Sequence, residues 1–233
     1  MTDALLCLTL DDRPVANWLA AAPIMAAHGA RVTFCVHALH QATPDELAGL
    51  HALQDMGHEI ACHSRSHANP VDHAKAHGWP RYLADEVDAD QADHRAAGFP
   101  ATGWASPFHA CPPRLRAALA TRFRGVRARG PLASGADNAV IDARLKPVDG
   151  VADCLGSFDC QHPRFAGWDW TAHLLDRLAA QGGVGVFAGH DIRANGRPGF
   201  WATPADLDRL LSMASERGIG FCTLSQISPA DRA

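Results

Sequence analysis

The sequence predicts an α/β fold in which parallel strands alternate with helices, and it favours a single-domain (β/α) barrel. Apolar runs of strand length alternate with helical patterns along the whole 233-residue chain, with no linker and no internal repeat. Residues that can carry chemistry follow several different strands: Asp11 the first, His63 the third and His190 a late one. In a barrel these strand ends meet on the C-terminal rim, which favours a barrel over a doubly wound sheet.

Each predicted element follows from local signals. In chain order they are a strand at 4–10, a helix at 17–28, a strand at 31–37, a helix at 43–56, a strand at 58–63, a helix at 80–97, a strand at 102–106, a helix at 112–121, a strand at 123–127, a helix at 172–181, a strand at 183–188, a helix at 203–216 and a strand at 219–224. A further strand is expected within 148–155, although Gly, Pro and Asp interrupt the surrounding stretch 128–165.

The first strand, Ala-Leu-Leu-Cys-Leu-Thr-Leu, is apolar almost throughout, as expected for a strand that is covered on both faces. Two helices have strong start signals, Thr43-Pro44-Asp45-Glu46 and Thr203-Pro204-Ala205-Asp206, with Thr as the N-cap and Pro at the first helical position. Four of the predicted helices are followed by a glycine that ends them. These glycines are Gly29, Gly57, Gly98 and Gly218.

The composition is that of an ordinary globular chain, with 47% hydrophobic and 20% charged residues. We expect one domain over residues 1–233, since barrels of this length are often single domains. The formal net charge of −4 argues against a nucleic-acid partner. No apolar run approaches 18 residues, so no membrane span is expected. No leader-like segment opens the chain, which predicts a cytoplasmic location.

The seven cysteines form no regular pattern and no C-x-x-C motif occurs, which argues against a disulfide framework and against a thiolate zinc site. Four of them lie in apolar runs and are interpreted as small buried hydrophobic residues. These four are Cys7, Cys35, Cys62 and Cys222.

Two short motifs predict a divalent-metal site. The string Leu10-Asp11-Asp12-Arg13-Pro14 places two carboxylates at a strand end, where they repel each other unless a cation lies between them. The string His63-Ser64-Arg65-Ser66-His67 places two imidazoles four residues apart after another strand. Together they offer oxygen and nitrogen ligands, free coordination positions and a spare carboxylate, as in open catalytic metal sites. The alternatives are a helix N-cap for the Asp pair and two solvent-facing loop histidines.

Two further strings lie at predicted strand ends. His190-Asp191 follows an apolar run, which favours an acid or base over a buried structural histidine. The string 104–108, Trp-Ala-Ser-Pro-Phe, is interpreted either as a rigid pocket wall that presents a backbone N–H or as a simple bend after the strand.

The order of these motifs, DD-x-P, H-S-x-x-H, an aromatic-x-x-P-aromatic string and H-D, resembles the polysaccharide deacetylases of carbohydrate esterase family four. The resemblance extends over residues 5–227 and implies a distorted (β/α) barrel with an open groove. It makes Asp11 the general base. It makes Asp12, His63 and His67 the ligands of a divalent metal, usually zinc.

The same resemblance implies that Phe108, after Pro107, gives its backbone N–H to the oxyanion, and that His190 is the general acid. The chain departs from the family pattern at three positions. Arg13 stands in place of a glycine, Ala105 in place of an arginine that steadies the base, and His109 in place of another glycine. Residues that could orient the reacting groups or contact the substrate are Arg13, His109, Arg127, Arg129, Asp159, Asp169 and Asp191.

Arg127 and Arg129 are the two candidates to replace the missing arginine, and Asp159 and Asp169 are the two candidates to pair with His190. The activity that the resemblance implies is metal-dependent removal of an N-acyl group, typically N-acetyl, from an amino sugar or glycan precursor. One alternative is an amidase or deformylase acting on a small amide, and another is a catalytically silent carbohydrate-binding domain. The sequence does not indicate whether the protein is a monomer or an oligomer.

Overall fold

The computed structural model describes residues 4–228. Its strands are β1 (Ala4–Asp12), β2 (Val32–Val36), β3 (Glu59–Cys62), β4 (Gly103–Ala105), β5 (Gly125–Arg127), β6 (Val151–Ala152), β7 (Gly156–Ser157), β8 (Gly183–Gly189), β9 (Asp191–Ile192), β10 (Trp201–Ala202) and β11 (Gly220–Phe221). Its α-helices are α1 (Val15–Ala27), α2 (Pro44–Asp55), α3 (Pro70–His77), α4 (Trp79–Tyr82), α5 (Ala89–Ala96), α6 (Pro113–Ala120), α7 (Asn138–Arg144), α8 (Trp168–Gln181) and α9 (Pro204–Glu216).

The main sheet is parallel and curls into a distorted barrel, as the sequence predicted. Its strand order is β6-β5-β4-β3-β2-β1-β8-β7, with β11 added to the start of β1. The two ends of this order are joined by the chain itself, because β6 pairs with β5 and β7, four residues later, pairs with β8. All C-terminal strand ends therefore lie on one rim.

Strand β1 shows how the sheet separates its two faces. Leu6, Leu8 and Leu10 are buried in the large apolar core that the surrounding helices complete. The alternate residues Thr9 and Asp11 are buried among polar partners from other strands. Because side chains alternate along a strand, the apolar positions fix the helix-facing side and direct Asp11 toward the barrel interior.

Small side chains line part of this interior. Cys35 of β2, Ala61 of β3 and Ala105 of β4 form a separate buried cluster. Strands β4 and β5 align so that Ala105 is opposite Arg127, which is fully buried. The small neighbours leave room inside the barrel for one long guanidinium side chain.

Most predicted elements are confirmed within a few residues, including the capping boxes of Thr43 and Thr203. The predicted helix at 80–97 is interrupted, because Leu83–Asp88 forms a π-helical segment between α4 and α5. Such segments occur often at functional sites. The stretch before it, to which the sequence analysis assigns no helix or strand, contains α3, whose start Asn69 caps and Pro70 opens.

The least regular stretch, 128–165, differs most from the prediction. It contains the unpredicted helix α7; the strand expected within 148–155 is present as the two-residue strand β6, and the unpredicted strand β7 follows it. The short parallel pair of β9 and β10 was also not predicted. Segments of two residues carry no periodicity that a sequence pattern could show.

The seven cysteines, which all fall within the described residues, are free thiols. Among residues 4–228, no helix has both the length and the apolar character that a membrane crossing requires.

Candidate functional site

Asp12, His63 and His67 come together at the rim. Asp12 ends β1 with a positive φ of 78°, which turns its side chain out of the strand's alternation. Its Oδ1 lies 3.7 Å from Nε2 of His67. One ligand atom from each of the three residues lies within 4.8 Å of the others. The two motifs, which are distant in the chain, thus form one cluster of two nitrogen donors and one oxygen donor.

The state of His63 fits a metal ligand. Its Nδ1 donates a hydrogen bond of 2.8 Å to the carbonyl oxygen of Ala105, so that Nε2 keeps its lone pair. Burial lowers the pKa of His63 to about 3, which keeps the imidazole neutral. A neutral imidazole held by a backbone carbonyl, with a second imidazole and one carboxylate beside it, suits a divalent ion such as zinc. The residues present therefore fit the metal that the sequence predicted.

The loop between the two histidines is held by Glu86 of the π-helical segment. Its Oε2 accepts hydrogen bonds from Oγ of Ser64 at 2.6 Å and from the backbone N–H of Ser66 at 2.9 Å. Ser64 and His67 both have positive φ, at 73° and 58°. Strained backbone persists only where the surroundings fix it, and the carboxylate of Glu86 supplies part of that constraint.

A second buried carboxylate holds the backbone of His63. Oδ2 of Asp90 accepts a hydrogen bond of 3.1 Å from the His63 N–H, and Oδ1 of Asp90 lies 3.3 Å from Nδ1 of His94. Glu86, Asp90 and His94 are not among the residues that the sequence motifs predicted. Their spacing of four places them on one helical face, and this polar stripe was the signal available in the sequence.

Asp11 points into the barrel beside the cluster. Its Oδ2 lies 3.8 Å from Nε2 of His63 and accepts a hydrogen bond from the Arg127 guanidinium. Burial would raise the pKa of Asp11, but the charge of Arg127 holds it well below its usual range. Within the described residues Oδ1 of Asp11 is buried without a hydrogen-bond partner. Asp11 is therefore an ionised carboxylate with one oxygen available to accept a proton.

Of the two candidate arginines, the structure places Arg127 against Asp11. Its guanidinium also donates to Oγ1 of Thr9 at 2.9 Å. Arg129 instead forms an ion pair with Asp153, so the structure does not bring Arg129 and Asp11 together.

His190 is held by Asp159. The imidazole Nδ1 lies 2.9 Å from Oδ2 of Asp159, and the backbone N–H of His190 donates to Oδ1 at 3.1 Å. Burial would lower the pKa of His190, but the hydrogen bond with Asp159 and the negative charge of Asp11 raise it to about 9. His190 is therefore protonated at neutral pH. Asp169 lies exposed in the first turn of α8, and the structure does not bring it to His190.

The turn after β4 forms another wall of the site. Pro107 is buried and starts a short 3₁₀ turn, in which Phe108 and His109 have positive φ of 55° and 53°. The Phe108 ring is 60% exposed and lies 4.8 Å from the ring of His67. None of the hydrogen bonds formed within residues 4–228 uses the Phe108 backbone N–H. It is thus a donor available beside the cluster.

The other predicted residues lie around these groups. Burial and the charge of Arg127 lower the pKa of His109 to about 4, so that His109 is neutral near the site. Arg13 donates to Glu46 and to the carbonyl oxygen of Ala38, which directs it toward the start of α2. Asp191 accepts a hydrogen bond of 2.8 Å from Asn17. The hydrogen bonds of Arg13 and Asp191 indicate structural roles at the rim.

Replacing Asp159 by asparagine is expected to lower the pKa of His190 from about 9 by about one pH unit or more. The reason is that a charge-assisted hydrogen bond contributes about 1.5–3 kcal/mol, and one pH unit corresponds to about 1.4 kcal/mol. The His190 ring would then lose its proton at a lower pH. An NMR titration of the imidazole in the metal-free protein measures this, with Asp169→Asn as the control. An unchanged titration curve in Asp159→Asn would contradict the pairing.

Comparisons with known proteins agree with this fold. The sequence model of the family described as polysaccharide deacetylase matches residues 1–121. No curated protein sequence matches the chain. Among solved structures, the catalytic domain of a peptidoglycan N-acetylglucosamine deacetylase from Eubacterium rectale superposes with a TM-score of 0.56 at 17% identity, covering 97% of this chain and 90% of that one.

Two further structures are similar. A family 4 carbohydrate esterase from Streptomyces lividans, in complex with acetate, gives a TM-score of 0.57 at 17% identity and covers 96% of this chain and 93% of that one. The chitin deacetylase of Colletotrichum lindemuthianum gives 0.59 at 14% identity, covering 99% and 91%. At these identities the structures support the fold. The family model matches more than half of the residues of this chain. The chain therefore belongs to the polysaccharide deacetylase family, whose members are hydrolases of N-acetyl amide bonds.

Proposed function

We propose that this protein is a metal-dependent N-deacylase of amino sugars or glycan precursors. The observation that carries the proposal is the position of Asp11, an ionised carboxylate 3.8 Å from one histidine of a cluster of three metal-type ligands. A base beside an open metal site is the arrangement that amide hydrolysis needs. The family membership and the similarity to solved peptidoglycan and chitin deacetylases support the choice of an N-acyl sugar as the substrate.

Asp12, His63 and His67 would hold the ion, and zinc is the ion we propose because of the two imidazole donors. When bound, a divalent ion supplies Lewis acidity, which favours ionisation of water and polarises an amide carbonyl. Side chains and backbone groups of the protein perform the proton transfers and stabilise the developing charge. Asp11 accepts the proton of the attacking water through its free Oδ1, and Arg127 keeps this carboxylate oriented and ionised.

Two further groups act on the substrate in this proposal. The Phe108 N–H donates to the oxygen that becomes negatively charged, a contribution of about 3 kcal/mol for one donor in comparable sites. His190, held protonated by Asp159, gives its Nε2 proton to the leaving nitrogen. The water oxygen forms the new C–O bond, the C–N bond breaks, and the products are a carboxylate and an amine. The presence of every required group weighs against a silent carbohydrate-binding domain.

Release of free amine from N-acyl sugars by the zinc-loaded enzyme tests the proposal. The panel contains N-acetylglucosamine, its oligomers, N-formylglucosamine and simple amides such as acetamide. We expect hydrolysis of the sugars, and about 10²–10⁴-fold slower turnover in Asp11→Asn with unchanged zinc content, because an amide side chain cannot accept the proton of the attacking water. Asp55→Asn, on the exposed end of α2, is the control. Hydrolysis of acetamide but of no sugar would instead favour the small-amide alternative.

A further inference from the structure

A cavity of about 330 Å³ lies between α6, α7 and β6. Four of the residues that line it are cations and one is an acid, and we call this cavity the basic pocket. These five residues are Arg116, Arg129, Arg144, Lys146 and Asp153. None of the proposed metal ligands or reacting groups lines the basic pocket, and it shares no residue with the larger cavity next to His190. It is therefore a feature that the proposed deacylase reaction does not use.

The single carboxylate of the basic pocket is shared by two arginines. Oδ1 of Asp153 accepts a hydrogen bond of 3.0 Å from Nη1 of Arg116, and Oδ2 accepts one of 2.9 Å from Nε of Arg129. Burial would raise the pKa of Asp153, but the hydrogen bonds of Arg129 and the charges of both arginines lower it. Four cations against this one ionised acid leave three positive charges in excess, in a chain whose formal net charge is −4.

Arg144 is held in the basic pocket without a carboxylate partner. Its Nη1 donates hydrogen bonds of 2.7 Å and 2.5 Å to the backbone carbonyl oxygens of Gly130 and Cys154. Within residues 4–228 its Nε and Nη2 form no hydrogen bond. Burial lowers the pKa of Arg144, and the charges of Arg129 and Arg116 add to this effect. Because a guanidinium keeps its charge in proteins, the repulsion remains, and an anion bound between these cations would relieve it.

The size and the donors of the basic pocket indicate which anion it suits. Its volume lies at the lower end of the range of about 300–1,000 Å³ for pockets that bind small molecules. Guanidinium groups match the geometry of phosphate oxygens with paired N–H donors. Three excess positive charges suit a group with two or three negative charges better than a carboxylate, which has one. The side chains of Val140 and Val148, which are 46% and 62% exposed, also line the pocket and offer apolar contacts to whatever carries the anion.

We propose that the basic pocket binds a phosphate or diphosphate group, with Arg144 and Lys146 as its main cationic contacts. Arg116 and Arg129 contribute positive charge but already share Asp153. Neither Arg144 nor Lys146 forms an ion pair within the described residues, so both have their charge available. The group can belong to a phosphorylated sugar or to a phosphorylated apolar molecule such as a lipid. The inference does not depend on the proposed deacylase activity, because no reacting group lines this pocket.

Isothermal titration of the full chain with inorganic phosphate and with inorganic pyrophosphate tests the proposal. We expect pyrophosphate to bind with a Kd of about 1 mM or lower, since two or more charge-assisted hydrogen bonds supply that affinity. Phosphate should bind about tenfold more weakly, because it offers fewer charges and oxygens. The affinity should fall as sodium chloride is added, and pyrophosphate should raise the melting temperature of the protein.

Two variants remove the two unpaired cations. Arg144→Gln should lower the affinity for pyrophosphate about tenfold or more, because it removes a charged donor. Since Arg144 also holds two backbone carbonyls, Lys146→Gln provides a test at an exposed position where folding is little affected, with an expected loss of about threefold or more. Lys75→Gln is the matched control, because Lys75 is the other lysine of the chain and lies exposed on α3. It should retain the native affinity.

A further comparison separates this pocket from the candidate metal site and identifies the source of the phosphate. His63→Ala should bind pyrophosphate with native affinity, because His63 does not line the basic pocket. Tighter binding of octyl phosphate than of glucose 1-phosphate would support a phosphorylated apolar ligand, and the reverse order would support a phosphorylated sugar. The assignment is overturned if neither phosphate nor pyrophosphate binds at 10 mM, about ten times the expected Kd. It is also overturned if Arg144→Gln and Lys146→Gln leave the affinity unchanged, or if His63→Ala abolishes binding.

Discussion

Replacing His63 by alanine is expected to abolish zinc binding and deacylase activity together. The affinity for zinc should fall by more than about a hundredfold, because loss of an outer partner of a ligand alone costs about 10–100-fold. The reason is specific to this side chain. His63 is buried and neutral, and the Ala105 carbonyl fixes its tautomer. Among the residues that the structure describes, no neighbouring group is held in the same way, so none can replace Nε2 of His63 as a zinc ligand.

Isothermal titration with Zn²⁺ measures the affinity, and the rise in melting temperature on zinc addition is an independent readout, since a ligand that binds only the folded state stabilises it. The matched control is His77→Ala. His73 and His77 repeat the same four-residue spacing on α3 with ring centroids 5.0 Å apart, but they do not belong to the three-ligand cluster. One zinc per chain with native affinity in His63→Ala would refute the ligand assignment.

The parts of the site that the sequence could predict are those that short stretches of chain determine. Asp11 and Asp12 are adjacent and end a strand that its apolar pattern reveals. His63 and His67 lie in one loop after β3. The rule that strand ends meet on one rim was then enough to bring the two motifs together.

The partners of the reacting groups could not be derived in the same way. The choice of Arg127 over Arg129 depends on the alignment of β5 with β4, which no local pattern encodes. Asp159 lies in the irregular stretch after β7, and its position follows from the pairing of that two-residue strand with β8. In both cases the partner follows from how strands distant in sequence align in the sheet, which the local sequence does not show.

The secondary structure likewise contains features that a few neighbouring residues determine and features that the local sequence does not show. The capping box at Thr43 could be located from four residues, whereas the π-helical segment that carries Glu86 continues a helical pattern without any break in sequence. Within this segment Glu86 accepts hydrogen bonds from the hydroxyl groups of Ser64 and Ser66. These contacts join residues that are 20 and 22 positions apart in the chain, and no local helical pattern indicates them.

Replacing Arg127 by alanine is expected to destabilise the fold by about 3–5 kcal/mol, because it leaves Asp11 as a buried charge without its partner. Activity should fall as well, since burial then favours the protonated, inactive form of this carboxylate. Urea unfolding measures the first effect and turnover the second. Arg129→Ala, which removes the partly exposed ion pair with Asp153, should cost about 1 kcal/mol or less and serves as the control.

A second substitution separates a positioning role for Arg127 from a merely structural one. Ala105 lies opposite residue 127 in the register of β4 and β5, and both side chains face the same interior. The double variant Ala105→Arg with Arg127→Ala moves the guanidinium to the neighbouring strand without changing the charge of the barrel. If Asp11 needs a cation in contact with it, from whichever strand, kcat of the double variant should be at least tenfold higher than kcat of Arg127→Ala, with little change in KM. Recovery of stability without any recovery of kcat would show that Arg127 only fills and neutralises the interior.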